Sequence, residues 1–276
     1  MLRRITAGFP VKKYFGVILA LAVFAVFWQG ISALVQKPFL PGPTAVTATL
    51  VRLAAEGKLW RHAGASLSRI FWALTLSGIP AVVLGLAAGR LARLDSLISP
   101  IVYLLHPLPK AAFLPVIMLF FGIGEASRIF LVGFIVFSQM LVSVRDAAKQ
   151  VAEEYLDVVR SLGAGKAALI RHVIIPSVLP GFFTGFRVSL GTAVAVLFFA
   201  ETFASENGLG YLIVDAWTRI AYAEMYAAIL ALSILGLVLF VLTDILEYIL
   251  CPWTEDKNPF RTQRIPGKNL PNSRQL

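Results

Sequence analysis

Long apolar runs alternate with short charged stretches along most of the chain. The runs are continuous rather than alternating from residue to residue, and most approach the roughly 20 residues that a helix needs to cross a bilayer core. Since only helices and closed barrels satisfy their backbone in lipid, the pattern predicts an all-α polytopic membrane protein with one transmembrane domain over residues 1–276. The six predicted spans are residues 14–35, 70–89, 98–122, 129–144, 181–200 and 225–250.

The third predicted span is unusual because it contains Pro100, Pro107, Pro109 and Pro115. Each proline removes a backbone hydrogen bond, so we expect this span to bend and to line a cavity or form a hinge. Lys110 lies among these prolines. A charge inside a membrane usually faces a cavity or a partner, so Lys110 is a candidate for attracting an anionic substrate; otherwise it snorkels to the membrane surface or caps the broken backbone.

Two further charged residues and two glycine pairs fall within or directly beside the predicted spans. Arg187 lies about two turns into the fifth span, where it either contacts substrate or snorkels to lipid phosphates. Glu201 ends the same span and is more typical of a gate or salt bridge than of a proton carrier. The patterns Gly85–Gly89 and Gly181–Gly185 allow close helix packing.

Composition and charge support a membrane location. The 276 residues are 58% hydrophobic and 14% charged, with a mean hydropathy of +0.79, whereas a soluble domain is about one quarter charged. A net charge of +10 would suggest a nucleic-acid partner in a soluble protein. Here Lys and Arg concentrate near both termini and between alternate spans, which predicts cytoplasmic termini and no nucleic-acid binding.

Metal and cofactor chemistry have little support in the sequence. The only cysteine, Cys251, excludes an internal disulfide and a thiolate cluster. The histidines His62, His106 and His172 are far apart and lack metal-ligand spacing; His106, beside Pro107, is typical of a packing residue. We therefore expect no metal site and no cofactor.

A charged segment between the fourth and fifth spans, residues 149–180, stands out from its apolar surroundings. Apolar residues follow a helical period from Glu154 to Leu162, which predicts an amphipathic helix. Gly163 and Gly165 should interrupt it, and a second short helix should end at Pro176. Composition alone favours a solvated linker helix, or a helix that lies in the lipid interface, over a surface that binds a partner.

The spacing within this segment resembles a known motif. It reads Asp157-Val-Val, three residues, Gly163, nine residues, and Val173-Ile-Ile-Pro176. This is similar to the EAA loop of binding-protein-dependent ABC transporter permeases, from which it departs by Asp for Glu, by Val for each Ala, and at the hydrophobic pair before the proline. The substitutions preserve charge sign and apolarity. The resemblance assigns ATPase coupling to Asp157, Val158, Val159, Gly163, Ala164, Gly165, Lys166 and Pro176.

Four other stretches resemble the permeases for nitrate, sulfonates and taurine: Leu40–Val46, Leu108–Pro115, Phe121–Ser127 and Asn207–Ile213. The resemblance covers roughly Leu40 to Leu250. It implies a bacterial or archaeal cell membrane, two copies of the permease, two ABC ATPase subunits, and a periplasmic or lipid-anchored substrate-binding protein. Within such a permease, the charged residues Lys110, Arg187 and Glu201 are our candidates for the translocation path of a small anion.

Other functions are less well supported. Gly165-Lys166 lacks the preceding glycine and the following Ser or Thr of a phosphate-binding loop, since Arg160 and Ala167 occupy those positions, so ATP hydrolysis is expected in a separate subunit. A secondary transporter would use intramembrane acids, and only Glu201 approaches that role. An intramembrane enzyme would need a nucleophile with a base or a metal motif, and neither is present.

Short helices are also predicted at residues 44–56 and within 206–217, where they cover the bundle or receive the binding protein.

Overall fold

The computed structural model describes residues 11–105, 107–203 and 205–254, and within them the chain is helical. Much of the charge at the two termini, and His106, lie outside this part of the chain. The helices are α1 (Val11–Val35), α2 (Pro43–Ala55), α3 (Lys58–Arg90), α4 (Ala92–Leu105), α5 (Leu114–Phe121), α6 (Glu125–Lys149), α7 (Glu153–Ser161), α8 (Lys166–Leu169), α9 (Ile175–Thr202), α10 (Leu209–Thr218) and α11 (Tyr222–Leu250). Short 3₁₀ turns span Lys110–Phe113 and Pro252–Thr254.

Four helices in the described residues are long and apolar enough to cross a membrane: α3, α6, the continuous run Lys166–Thr202, and α11. A fifth crossing results if α4 and the segment Lys110–Phe121 together form one bent span. The all-α polytopic architecture is therefore confirmed. Helix α1 contains the first predicted span, residues 14–35, and a crossing there stays a prediction.

The third predicted span is broken, as its prolines indicate. It consists of α4 and α5, which are joined by the 3₁₀ turn and inclined by 85° across the break. Pro109 directly precedes the 3₁₀ turn. Pro115 lies in the first turn of α5, where a backbone N–H would have no acceptor within the helix, so proline removes no hydrogen bond there. One straight helix over 98–122 is therefore absent.

Helix α6 lies at the centre of the bundle, between α3 and α9. A β-carbon added to Gly89 would lie 2.5 Å from the Ala148 Cβ and 2.7 Å from the Arg145 carbonyl oxygen. One added to Gly181 would lie 2.6 Å from the Ala147 Cβ on another side of α6. Both glycine patterns thus mark places where α3 and α9 pack closely against α6.

Pro176 does not end the second helix of the charged segment, so this expectation was wrong. The chain continues from α8 through a π turn at Ile170–Ile174 into α9 without a break. Proline cannot donate the ordinary helical hydrogen bond, and the wider π turn that ends at Ile174, two residues before Pro176, accommodates the missing donor. The charged segment is therefore joined rigidly to the span that follows it.

The helices α2 and α10 cover the opposite end of the bundle from α7, and we call them the end cap. Their core includes Val46, Leu53 and Leu209, packed on Leu59 of α3 and Ala227 of α11. The predicted helix over 44–56 is thus confirmed, ending before Gly57 in a left-handed conformation with φ 74°.

Candidate functional site

Helix α7 is short, and its sequence explains both of its ends. Ala152 precedes it with extended backbone, and Glu153 and Glu154 fall in its first turn, where negative charge interacts favourably with the helix dipole. Gly163 ends it with a left-handed φ of 82°. The Gly163 and Ala164 N–H groups donate to the carbonyl oxygens of Arg160 and Val159, at 2.9 and 3.3 Å, which is a Schellman cap.

The apolar residues of α7 divide between two faces. Leu156 is buried, with 1% exposure, in a cluster with Val144, Ala148 and Leu169 that attaches α7 to the base of α6. On the outer face, Tyr155, Val158 and Leu162 are 64, 61 and 80% exposed. We call these three residues the α7 outer patch.

The remaining motif residues surround this patch. Asp157 is exposed and accepts a hydrogen bond from Arg160 at 2.9 Å. Val159, Ala164 and Pro176 are half-buried, whereas Gly165 and Lys166 are exposed where α8 begins. The motif therefore forms one continuous surface around a glycine turn, with its apolar patch facing away from the bundle.

A second constellation lies at the other end, centred on Arg69 of α3, which is 1% exposed. Its guanidinium donates to both carboxylate oxygens of Glu125, at 2.6 and 2.5 Å, and to Glu201 at 2.6 Å. It also donates to the backbone oxygen of Asn207 at 3.0 Å and to its side-chain oxygen. Arg69 thereby joins α3 to α6, to α9 and to the turn before α10.

Glu201 is fully buried within this network. Its carboxylate accepts hydrogen bonds from the Ser66 hydroxyl at 2.8 Å and from the Gly210 N–H at 2.8 Å, in addition to Arg69. A β-carbon added to Gly208 would lie 2.4 Å from the carboxylate carbon of Glu201, and the backbone φ of Gly208 is 113°. The glycines of the Asn207–Ile213 stretch therefore let the start of α10 close over a buried acid.

Arg69 was missed as a site residue because the sequence placed it outside the second span as a topology signal. The available signal was the spacing of His62, Ser66 and Arg69, which puts three polar residues on one face of α3. Leu209 and Gly208 donate their N–H groups to Ser66 and His62 at 2.8 and 3.2 Å. The polar face of α3 thus orients the end cap.

Lys110 and Arg187 occupy different surroundings. Lys110 is half-buried at the start of the 3₁₀ turn in the broken span, and among the described residues no carboxylate lies within ion-pair distance of it. Arg187 donates to Asp244 at 2.7 Å and to Glu247, both on α11. These two acids reduce the attraction of Arg187 for an anion, whereas no carboxylate in the described residues offsets Lys110 in this way.

Surface ion pairs fix the end cap to α11. Glu224 accepts from Arg52 of α2 and from Arg219, each at 3.0 Å. Hydrogen bonds to Asp215 and Glu224 raise the pKa of Arg219.

Across the described ranges, no group of three acidic, His or Cys side chains is arranged to hold a metal ion.

Comparison with known proteins identifies the family. The model of the family described as "binding-protein-dependent transport system inner membrane component" matches residues 81–256. The taurine transport system permease protein TauC of Escherichia coli (strain K12) is 31% identical over 91% of this chain and 94% of its own. The riboflavin transport system permease protein RibX of Chloroflexus aurantiacus is 30% identical over 86% of this chain and 90% of its own.

The fold also matches a solved structure. The MetNI methionine ABC transporter in an inward-facing conformation contains a chain that superimposes with a TM-score of 0.56 and 21% identity, covering 70% of this chain and 94% of that one. This likeness concerns the fold alone. Together with the family match over residues 81–256, the sequence relatives show that the chain belongs to the binding-protein-dependent transport system inner membrane components, the permease subunits of ABC transporters.

Proposed function

We propose that this chain forms the translocation path of an ATP-driven importer and that the α7 outer patch receives the ATPase. As a permease, the chain is a non-catalytic, multi-pass component of the cell membrane, and its transport depends on a binding protein. ATP hydrolysis then belongs to a separate ABC ATPase subunit. The exposed patch of Tyr155, Val158 and Leu162 is the observation that carries this proposal.

The patch is suited to a protein partner. Three large apolar side chains are exposed on a helix whose opposite face is anchored by Leu156. Clustered exposed apolar groups beside charged ones mark interaction surfaces. Asp157 and Arg160 beside the patch supply polar contacts at its rim.

The mechanical connection follows from the helix continuity. A force on α7 passes through the Gly163 turn into α8, and α8 continues through the π turn into α9. Closure of two ATPase subunits would therefore tilt α9 together with its ion pairs to α11. ATP can shift the inward-open to outward-open equilibrium only if it changes these contacts between the two states.

The proposed assembly has two copies of this chain, forming a homodimer, and two ATPase subunits. The α7 segment and both termini then lie in the cytoplasm, and the end cap faces outward to a periplasmic or lipid-anchored binding protein. Exposed charges on the end cap, such as Arg52, support docking at this surface.

We further propose that the substrate is a small anion of the taurine, sulfonate or nitrate class. Lys110 supports this proposal because it is a cation without an ion-pair carboxylate among the described residues, at a break in a span. Broken spans form binding sites at the centre of many transporters. Arg187 and Glu201 would then stabilise the path through their ion pairs to α11 and α3.

An ion-gradient mechanism loses support from the same geometry. Glu201 is the acid that such a mechanism would use, but it is fully buried and bonded to Arg69, Ser66 and the Gly210 N–H. A carboxylate that is buried and bonded to an arginine and two further donors joins separate segments of the bundle, which favours a structural role over a proton-carrying one.

Co-purification tests the coupling proposal. The tagged chain is purified from membranes of its host, and the bound ATPase is identified by mass spectrometry and by ATP hydrolysis. We expect Val158→Arg to abolish ATPase retention with little loss of the chain itself, because Val158 is largely exposed. Ser96 is exposed on α4 near the same end of the bundle as α7, so Ser96→Arg is the control and should retain the ATPase. Equal retention by both variants would refute the assignment of the patch.

Uptake of radiolabelled taurine tests the substrate class. Lys110→Gln should lower taurine uptake by about tenfold or more, since one well-placed charge interaction is worth at least about 1.4 kcal/mol. ATPase retention should be unchanged, because Lys110 lies outside the α7 outer patch. Unaltered uptake in Lys110→Gln would remove this residue from the path.

A further inference from the structure

Arg90, the last residue of α3, lies against the short link that joins α6 to α7. Its guanidinium donates to Glu153 at 2.5 Å, and to the backbone oxygens of Ala148 and Val151 at 3.4 and 3.3 Å. Only residues 150–152 separate α6 from α7. One side chain from a different helix thus contacts the end of α6, the link and the start of α7.

These contacts fix the direction of α7. The last carbonyl groups of a helix have no intrahelical donor, and Arg90 supplies one at the end of α6. The carboxylate of Glu153 then attaches the first turn of α7 to the same guanidinium. Because Arg90 is planar and has several donors, it can hold these acceptors together.

The helix that carries Arg90 has little freedom to move against α6. Gly89 directly precedes it, and even one added carbon there would meet the Ala148 Cβ and the Arg145 carbonyl oxygen. Gly85, one turn earlier, is similarly close to Val144. At this end of the bundle, α3 and α6 therefore behave as one body.

We propose that Arg90 is a positioning residue that transmits movement of α7 to the paired helices α3 and α6. This inference rests on the proposed function, in which ATP drives α7. The Gly163 turn conducts movement to α9 at one end of α7, and the Arg90–Glu153 contact conducts it to α3 at the other. Both halves of the bundle are then moved by one short helix.

The test uses the purified complex of this chain and its ATPase in nanodiscs, in a Cys251→Ser background. A reporter cysteine is placed by Ala112→Cys, on an exposed position of the 3₁₀ turn in the broken span. Its maleimide labelling rate is measured without nucleotide and with ATP plus vanadate. The rate ratio reports ATP-driven movement at a position outside α7.

Two variants each remove one partner, and each has a matched control. Arg90→Gln is compared with Arg93→Gln, an exposed arginine three residues further on. Glu153→Gln is compared with its exposed neighbour Glu154→Gln. Since Glu153 is 64% exposed, its substitution tests the contact even if Arg90→Gln does not fold.

We expect Arg90→Gln and Glu153→Gln to retain the ATPase and its hydrolysis but to lower the ATP-dependent rate ratio by about two- to tenfold. The double variant should be no worse than either single one. Full rate ratios in both single variants, or loss of ATPase binding in parallel with the ratio, would overturn the inference. If ATP changes nothing even in the parent complex, the proposed function fails and the inference falls with it.

Discussion

Replacing Arg69 with methionine is expected to destabilise the bundle strongly, because one guanidinium connects four segments of the chain. The substitution preserves much of the side-chain volume but removes the charge and every donor. Glu125 is 56% exposed and can be solvated after the change. Glu201 is 0% exposed and loses its cationic partner while it stays buried.

The magnitude follows from this difference between the two acids. Removing one partner of a buried ion pair costs about 3–5 kcal/mol, because the other charge is left without compensation. The Ser66 and Gly210 donors remain on Glu201 and place the expected cost toward the lower part of that range. At about 2–4 °C per kcal/mol for a chain of this size, the apparent melting temperature should fall by on the order of 10 °C.

Thermal unfolding in detergent, followed by size-exclusion chromatography with fluorescence detection, measures this shift. Arg52→Met is the control, since its pair with Glu224 is at the surface and is worth at most about 1 kcal/mol. The double variant Arg69→Met with Glu201→Gln should recover much of the loss, because it also removes the buried carboxylate that Arg69→Met leaves without its arginine. If Arg69→Met melts within the range of Arg52→Met, the network has no structural role and this reasoning is wrong.

Three further predictions concern packing, the glycine turn and the cysteine. Gly89→Ala should destabilise by about 1–3 kcal/mol in the same melting assay, whereas Gly78→Ala, with open space around its added carbon, should not. Gly163→Ala should cost about 1–2 kcal/mol through its left-handed φ alone and should weaken ATPase retention; an unchanged complex would show that the turn is not required. Burial raises the pKa of the Cys251 thiol, so Cys251 in the folded chain should react with a maleimide about tenfold or more slowly than in the denatured chain. The labelling rate of the folded chain should also keep rising at pH values where a free thiol is already ionised. Prompt labelling of the folded chain would contradict the burial of Cys251.

The sequence was informative where one chemical constraint dominates. Continuous apolar runs require helices in lipid, so the class and most spans were predictable. The Gly85 and Gly181 patterns indicated close packing but not the partner, which is α6 in both cases. The positive φ of Gly163 was implied by its place at the end of an amphipathic period.

Features that depend on distant partners were not predictable in this way. A span that starts at Ile70 leaves Arg69 outside, because hydropathy treats an arginine as exposed. Its burial depends on acceptors from distant segments, chiefly the carboxylates of Glu125 and Glu201. Pro176 was expected to end a helix, because proline rules describe α-helices and do not anticipate a π turn. The Arg90–Glu153 contact joins residues 63 positions apart, and no local pattern indicates it.

The location of α7 is the most direct test of the central claim that ATPase docking occurs there. A cysteine introduced by Val158→Cys in the Cys251→Ser background is labelled with a membrane-impermeant maleimide, in intact spheroplasts and in inverted membrane vesicles. We predict no labelling in spheroplasts, rapid labelling in inverted vesicles stripped of the ATPase, and slower labelling when the ATPase is bound. Labelling of Val158→Cys from the outside of spheroplasts would contradict the account.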